Sequence, residues 1–320
     1  TVILATVQAY GISVGMEGMT SSTGPVVLDP GVFFRASTVI TLVGGTLFLM
    51  WLGEQITARG VGNGISLIIF SGIVAELPSA LAATLELGRT GAISALVIVG
   101  ILVMVAAVIT FIVFVERAQR RLIVQYPKRQ MGNRMYGGES SHLPLKINAP
   151  GVIPPIFASA LLLMPVTVAG FSAGQGPEWM TMITAHLGRG QPVFLILYAS
   201  LIIFFAFFYT AVVFNPTDTA DNLKKYGGFI PGIRPGKNTA DYLDYVLTRL
   251  TVVGASYLTL ISLLPEMLIS KFAVPFYFGG TSLLIVVTVT MDTVAQVQSH
   301  LLAHQYEGLI KKSRLRGRQR

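Results

Sequence analysis

The chain has 320 residues, of which 52% are hydrophobic and only 12% charged, and its mean hydropathy is +0.67. Soluble domains carry roughly 25% charged residues, so this composition excludes an ordinary soluble protein and indicates an integral membrane protein. The formal charge of +8 does not by itself indicate DNA binding, because the basic residues lie between apolar runs. The absence of cysteine excludes disulfides, thiolate catalysis and cysteine metal sites.

Apolar runs follow one another along the whole chain, and a helix needs about 20 such residues to cross a bilayer. They predict an all-α integral membrane protein with eight transmembrane helices, at residues 1–16, 36–56, 64–84, 92–115, 149–170, 192–214, 242–264 and 277–298. The first run begins at Thr1 as if already inside a helix. We therefore expect the native protein to extend further at its N-terminus.

The connections between these runs alternate in charge. Nineteen of the 23 lysines and arginines fall in one set of connections and in the C-terminal tail, and only Arg35, Arg89, Arg189 and Lys271 fall in the other. Cytoplasmic loops of membrane proteins carry such an excess of basic residues. We expect the basic loops and the C-terminus to be cytoplasmic. In the first of these loops, Asn63 is a predicted helix cap.

The longest connection, residues 116–148, is basic and contains large apolar side chains such as Tyr126 and Met131. Structureless connections of this length are uncommon unless they are functional or disordered, and disordered segments are poor in large apolar residues. The pattern predicts a hairpin that docks a partner on one membrane face. A second loop, residues 215–241, has Pro and Gly turns on both sides of Arg234. That arginine is either a recognition residue or one more positive-inside charge.

The spans contain few ionisable groups, and Glu54 and Asp292 lie near span ends, which argues against ion-coupled transport. Several spans are instead rich in isoleucine, for which periodicity alone favours lipid contact. Pro154 and Pro155 near the start of the fifth span are expected to weaken its first turns. No catalytic constellation is present, and His300 and His304 lack a third metal ligand. We predict neither enzymatic activity nor a cofactor nor a metal.

Long blocks of the sequence resemble the bacterial SecY family, whose members are central subunits of the Sec protein-conducting channel. They are ERAQRRLIVQYPKRQ, SSHLPLKINAPGVIPPIFAS, FFYTAVVFNPTDTADNLKKYGGFIPGIRPGKNTADYL, VPFYFGGTSLLIVV and MDTVAQVQSH. The resemblance implies a ten-helix channel of two pseudosymmetric halves, of which this chain holds spans three to ten. It divides the chain into residues 1–91 of the N-terminal half, 92–298 of the C-terminal half and a basic cytoplasmic tail at 299–320.

The same resemblance implies roles for individual residues. It places Ile65, Ile69, Ile156 and Ile285 in an apolar pore ring. It places Arg120, Arg121, Lys128, Arg129, Arg134 and Arg234 at the docking surface for cytoplasmic partners. It places Gln8, Asn148, Pro154 and Pro155 at a lateral gate. Relatives with a basic pair at the hairpin tip differ from this chain, which has Asn133 beside Arg134.

The implied function is a passive channel in the bacterial inner membrane, driven by a docked SecA motor or ribosome. Unfolded secretory polypeptides bearing signal peptides would cross it or leave sideways into membrane lipid, and SecE and SecG would be its partner subunits. Two alternatives remain open from the sequence. They are a secondary transporter with a small-molecule site at the midplane and an insertase or scaffold without a through-pore.

Overall fold

The computed structural model describes residues 2–18, 20–21, 24–91, 94–126, 129–131, 134–136, 140–171, 191–272 and 280–317. Within these ranges the side chains of residues 18, 20–21, 24, 95, 129–131, 134–136, 164–171, 268–272, 280 and 303–317 are outside the description. The structural statements that follow concern the described residues.

The described helices are α1 (Val2–Gly18), α2 (Val32–Arg59), α3 (Gly64–Arg89), α4 (Ala95–Arg117), α5 (Ile153–Phe171), α6 (Pro192–Val213), α7 (Pro216–Lys225), α8 (Lys237–Phe272) and α9 (Gly280–Gly317). All but α7 coincide with a predicted span, which confirms the predicted fold class. Six stretches of the described residues are long and apolar enough to cross a membrane, and Val2–Glu17 and Ile153–Leu163 are shorter apolar helices.

The long basic connection forms the predicted hairpin. Strand β3 (Gln119–Gln125) pairs antiparallel with β6 (Ser140–Lys146), with Gln119 opposite Lys146 and Gln125 opposite Ser140. Two short strands, β4 (Arg129–Met131) and β5 (Arg134–Tyr136), pair with each other farther along the hairpin. A minor pair, β1 (Thr20–Ser21) and β2 (Gly24–Pro25), lies between α1 and α2.

The main apolar core lies between α4, α5, α6, α8 and α9, and α3 packs against it. Ile112 on α4, Ile202 on α6, Leu258 on α8 and Leu284 on α9 are completely buried there. Many other large apolar side chains on the same helices are exposed, including Val103 and Phe204. An exposed apolar surface of this extent requires lipid rather than water around it.

The turn between α2 and α3 is tight and is fixed by its glycines. The predicted cap is confirmed, because the Asn63 side chain accepts hydrogen bonds from the amides of Ile65 and Ser66. A Cβ at Gly64 would overlap the carbonyl oxygen of Gly53, so the two helices approach as closely as they do only with glycine there. The Gly62 amide donates to Gln296 Oε1 of α9 at 2.7 Å, which ties this turn to the last helix.

One expectation needs correction. Pro154 and Pro155 do not weaken α5: they occupy its first turn, where backbone amides have no intrahelical partner, and both are fully buried. The basic tail, residues 299–320, is helical over its described part, because α9 continues through it to Gly317. Its lysines and arginines are good helix formers, so their charge does not end the helix.

Candidate functional site

The two basic loops, although about a hundred residues apart in sequence, form a single body. Gln125 at the end of β3 exchanges two backbone hydrogen bonds with Phe229 of the second loop, each 2.9 Å long. We call this body the loop module. It consists of the β3–β6 hairpin, residues 226–236 and the first turns of α8 up to Leu250.

The loop module has an apolar core of its own. Leu122 and Leu145 point inward from β3 and β6, while their neighbours Arg121 and Lys146 are exposed, as the two-residue alternation of strands requires. They pack with Ile230 of the second loop and with one face of α8. That face is formed by Leu243, Val246, Leu247 and Leu250 at helical spacing. The hairpin is therefore fixed to a spanning helix.

The close contact between the two loops depends on Gly228. An added Cβ at this position would lie 2.9 Å from the Tyr126 ring and 3.1 Å from a methyl group of Val124. Both distances are shorter than ordinary contacts, so a larger residue would push the second loop away from β3. This glycine is a structural requirement of the loop module that the sequence analysis did not identify, since only the tertiary contact distinguishes it from the neighbouring turn glycines.

Three of the predicted docking arginines are exposed on the loop module: Arg120 and Arg121 on β3 and Arg234 on the second loop. None of the three forms an ion pair with a carboxylate among the described residues. Their guanidinium groups are therefore available to an anionic partner. Lys128 lies outside the described residues. Arg129 and Arg134 are placed only by their backbones, on the paired strands β4 and β5.

Arg234 is held by a stiff turn, as predicted. Gly232 and Gly236 on either side of it have φ values of +84° and +105°, which other residues rarely adopt. The Thr239 hydroxyl donates to the Arg234 carbonyl at 3.0 Å. The adjacent Ile233 packs against the core of the loop module. The backbone of Arg234 is thus anchored while its side chain is exposed.

Three of the four proposed ring isoleucines belong to or border the main apolar core. Ile285 is 5% exposed within the main core, and Ile69 and Ile156 are partly buried against the same core. These residues come from α3, α5 and α9, so one apolar region joins helices that are far apart in sequence. Ile65, one turn before Ile69 on α3, is outside this core: it is 48% exposed, and its side chain lies beside Gly53 at the α2–α3 junction.

The proposed gate residues belong to α1 and to the start of α5, two helices that pack against each other. Gln8 is exposed on α1. Asn148 is only 3% exposed and lies between the end of β6 and the start of α5. Its Nδ2 donates to Glu116 Oε1 at 2.6 Å and to the Gly151 carbonyl at 3.3 Å. The sequence analysis did not identify this contact of Glu116, because nothing near Glu116 in the sequence indicates a partner 32 residues away.

Comparison with known proteins gives consistent results. A sequence profile of the SecY family matches residues 1–294. The protein translocase subunit SecY of Rickettsia conorii is 57% identical over 316 residues, covering 99% of this chain and 73% of the relative. The corresponding subunit of Escherichia coli K12 is 57% identical over 318 residues, covering 99% of this chain and 72% of the relative.

Solved structures with the same fold include a SecY channel whose plug domain stabilises the closed state, with a TM-score of 0.68 and 18% identity over 93% of this chain and 71% of the other. Sec61 in a canine ribosome–channel complex gives a TM-score of 0.59 and 17% identity over 93% of this chain and 70% of the other. With six candidate spans among its described residues, the chain is a multi-pass membrane protein. On the sequence match, it belongs to the SecY family.

Proposed function

We propose that this chain is the channel subunit of a protein translocase, which passes unfolded secretory polypeptides across a bacterial inner membrane and releases membrane segments sideways into lipid. It catalyses no reaction itself, and its C-terminus is cytoplasmic. The observation that carries the proposal is the match to SecY subunits at 57% identity over nearly the whole chain. The loop module supplies a physical basis for the docking of a partner, and the isoleucines at the main apolar core supply one for the passage of a polypeptide.

Docking is the role of the loop module. Its exposed arginines lie on a body with its own apolar core, so their spacing is preserved when a partner binds. Guanidinium groups bind phosphates and carboxylates through paired hydrogen bonds. An RNA surface of a ribosome and an acidic surface of a SecA motor both fit this chemistry. The Sec61 relative in a ribosome–channel complex supports the ribosome as one partner.

Passage is the role of Ile65, Ile69, Ile156 and Ile285 as an apolar collar. Isoleucine has a restricted χ1 torsion, so a ring of such side chains keeps a defined width and forms no hydrogen bonds with a passing chain. A narrow apolar constriction also excludes water and ions by dewetting. The collar therefore admits polypeptides of any sequence and opposes ion leakage.

Sideways release is the role of the contact between α1 and α5. The two helices pack against each other although about 150 residues separate them, and no described backbone hydrogen bond joins them. Separation of α1 from α5 would open a path from the collar region to the lipid, with Gln8 and Asn148 on its two sides. SecE and SecG are proposed as additional subunits on the basis of family membership.

The test is a crosslinking experiment in the complete protein. This chain contains no cysteine, so none of its own residues competes with an introduced cysteine. A single cysteine is placed at Ile156 and, as a matched control, at Val103, which is 64% exposed on the lipid-facing side of α4. A secretory precursor is stalled midway, and crosslinks to it are measured. Strong crosslinking from position 156 with little from 103 is expected. Equal yields at both positions, or none at either, would refute passage through the collar.

A further inference from the structure

We infer that Glu17 and Arg35 form an ion-pair clamp between α1 and α2, so that sideways release moves these two helices as one body; the inference rests on the proposed function. Glu17 belongs to the last turn of α1, the helix that carries the proposed gate residue Gln8. Arg35 belongs to the first turn of α2. The clamp therefore bridges the two helices at the end where residues 19–31 connect them.

The geometry of the clamp uses both oxygens of the Glu17 carboxylate. Arg35 Nε donates to Oε1 and to Oε2 at 3.1 Å each, and Arg35 Nη2 donates to Oε2 at 2.7 Å. Paired hydrogen bonds between a guanidinium group and a carboxylate are stronger and more directional than those between neutral groups. The Glu17 side chain is 12% exposed and the Arg35 side chain 37%. The carboxylate is thus withdrawn from most of its water and depends on its protein partners.

Glu17 also caps α2, although it belongs to α1. Gly31, the residue that precedes α2, has no side chain to accept hydrogen bonds from the first amides of the helix. Its own amide donates to Glu17 Oε1 at 3.1 Å. A carboxylate near a helix N-terminus is stabilised by the unpaired amides and by the helix dipole. The start of α2 is therefore fixed by a residue of α1 through charge as well as through hydrogen bonds.

The other contacts of these helices indicate which of them separate during release. The Gly64 amide at the start of α3 donates to Thr57 Oγ1 of α2 at 2.8 Å, so α2 is itself tied to α3. Between α1 and α5, by contrast, the described residues form no ion pair and no backbone hydrogen bond. When α1 separates from α5, the clamp keeps it on α2.

A second arginine in the weakly basic set of connections provides a comparison. Arg89 pairs with Glu86 three residues earlier on α3, and the two side chains are 80% and 56% exposed. Such an exposed pair contributes little to stability, and this one joins no second element. Arg35 is different because its partner lies on another helix. It is a positioning residue for α1 and needs no contact with the translocating chain.

The test measures the α1–α2 distance in the complete protein in lipid nanodiscs. Spin labels are attached at Val7→Cys on α1 and Ile40→Cys on α2, both exposed positions. Arg35→Glu places two carboxylates together, and we expect it to raise the population of long α1–α2 distances by about tenfold. The control Arg89→Glu makes the same change of charge at the exposed pair on α3 and should leave the distribution unchanged.

The double variant Glu17→Arg with Arg35→Glu distinguishes the clamp from a general loss of stability. It restores an ion pair with the charges exchanged, so the α1–α2 distribution should return to within about threefold of the parent. Arg35→Gln removes the charge without adding repulsion and should raise the long distances by about fivefold. It remains informative if Arg35→Glu does not fold.

A second label pair tests whether α1 and α2 move together. It combines Val7→Cys with Leu161→Cys, an exposed position on α5. When a secretory precursor is stalled in the parent, the α1–α5 distances should lengthen while the α1–α2 distances stay unchanged. In Arg35→Glu both distances should lengthen, because α1 is no longer held on α2.

The clamp would be overturned by an α1–α2 distribution that neither Arg35 variant changes, by an equal rise in Arg89→Glu, by a double variant as separated as Arg35→Glu, or by a parent whose α1–α2 and α1–α5 distances lengthen together. Transport of the precursor is measured on the same preparations. A parent that transports nothing but whose α1–α2 distances respond to Arg35→Glu would contradict the proposed function and support the clamp. Normal transport with α1–α2 distances that no variant changes would do the reverse.

Discussion

Leu243→Ala tests whether the loop module is one cooperative body. Leu243 lies on α8, is completely buried, and packs with Leu122 and Leu145 of the hairpin and Ile230 of the second loop. Removing a fully buried leucine side chain leaves a cavity and costs about 3 kcal/mol, within the range measured for such substitutions. Local opening of the hairpin should therefore become about a hundredfold more frequent.

Hydrogen exchange of the protein in nanodiscs measures that opening. Peptides that contain β3 and residues 226–233 should lose about a hundredfold in protection, because both depend on the same core, and peptides from α4 should be unchanged. Leu102→Ala is the matched control, since Leu102 is 57% exposed on α4 and buries little. An unchanged hairpin in Leu243→Ala, or an equal effect in Leu102→Ala, would refute the single-body description.

Two further predictions concern single side chains. Arg234→Ala should weaken binding of ribosomes or SecA by about tenfold in a sedimentation assay, and Arg234→Lys should not restore binding because an ammonium group lacks the planar, paired donors of a guanidinium group. The control is Arg89→Ala, which removes an exposed arginine paired with Glu86. An equal loss of binding in Arg89→Ala would indicate that only the net charge of the protein matters. Gly64→Ala should destabilise the protein by about 1–3 kcal/mol in thermal unfolding, because its Cβ would overlap the Gly53 carbonyl. The control Gly72→Ala should be neutral or stabilising, because nothing lies within 4 Å of its added Cβ. Similar unfolding temperatures for the two variants would contradict the close approach of α2 and α3.

The sequence was sufficient to predict the spans because the bilayer imposes a simple rule. A run of about 20 apolar residues has few alternatives to a membrane helix, so all eight predicted spans coincide with helices. Local signals were equally informative. Asn63 before an apolar run predicted a cap that the structure confirms, and a long basic connection with large apolar residues predicted the hairpin of β3 and β6.

Contacts between distant segments could not be predicted in this way. The Gln125–Phe229 bridge joins residues 104 positions apart, and neither has a side-chain pattern that indicates its partner. The Glu116–Asn148 hydrogen bond has the same character. The prediction that Pro154 and Pro155 weaken α5 was wrong because proline disrupts a helix interior but not a first turn. The exact residue at which a helix begins is hard to predict from sequence.

The pore-ring residues could not be identified by physical reasoning from the sequence. Periodicity alone assigns isoleucine in a membrane helix to lipid contact, and only the resemblance selected Ile65, Ile69, Ile156 and Ile285. The structure places Ile69, Ile156 and Ile285 at one apolar core. Their role as a collar stays a prediction, since apolar packing between helices uses the same side chains as an apolar constriction.

Ion conductance during translocation tests the collar most directly. The complete protein is reconstituted in a planar bilayer, a secretory precursor is stalled in it, and the current is compared between the parent, Ile156→Ser and Val103→Ser. A serine at position 156 would admit water beside the passing chain, so the current through the occupied channel should rise several-fold. Val103→Ser, on the exposed side of α4, should leave the current unchanged. An unchanged current in Ile156→Ser, or an equal rise in both variants, would contradict a seal formed by the isoleucines.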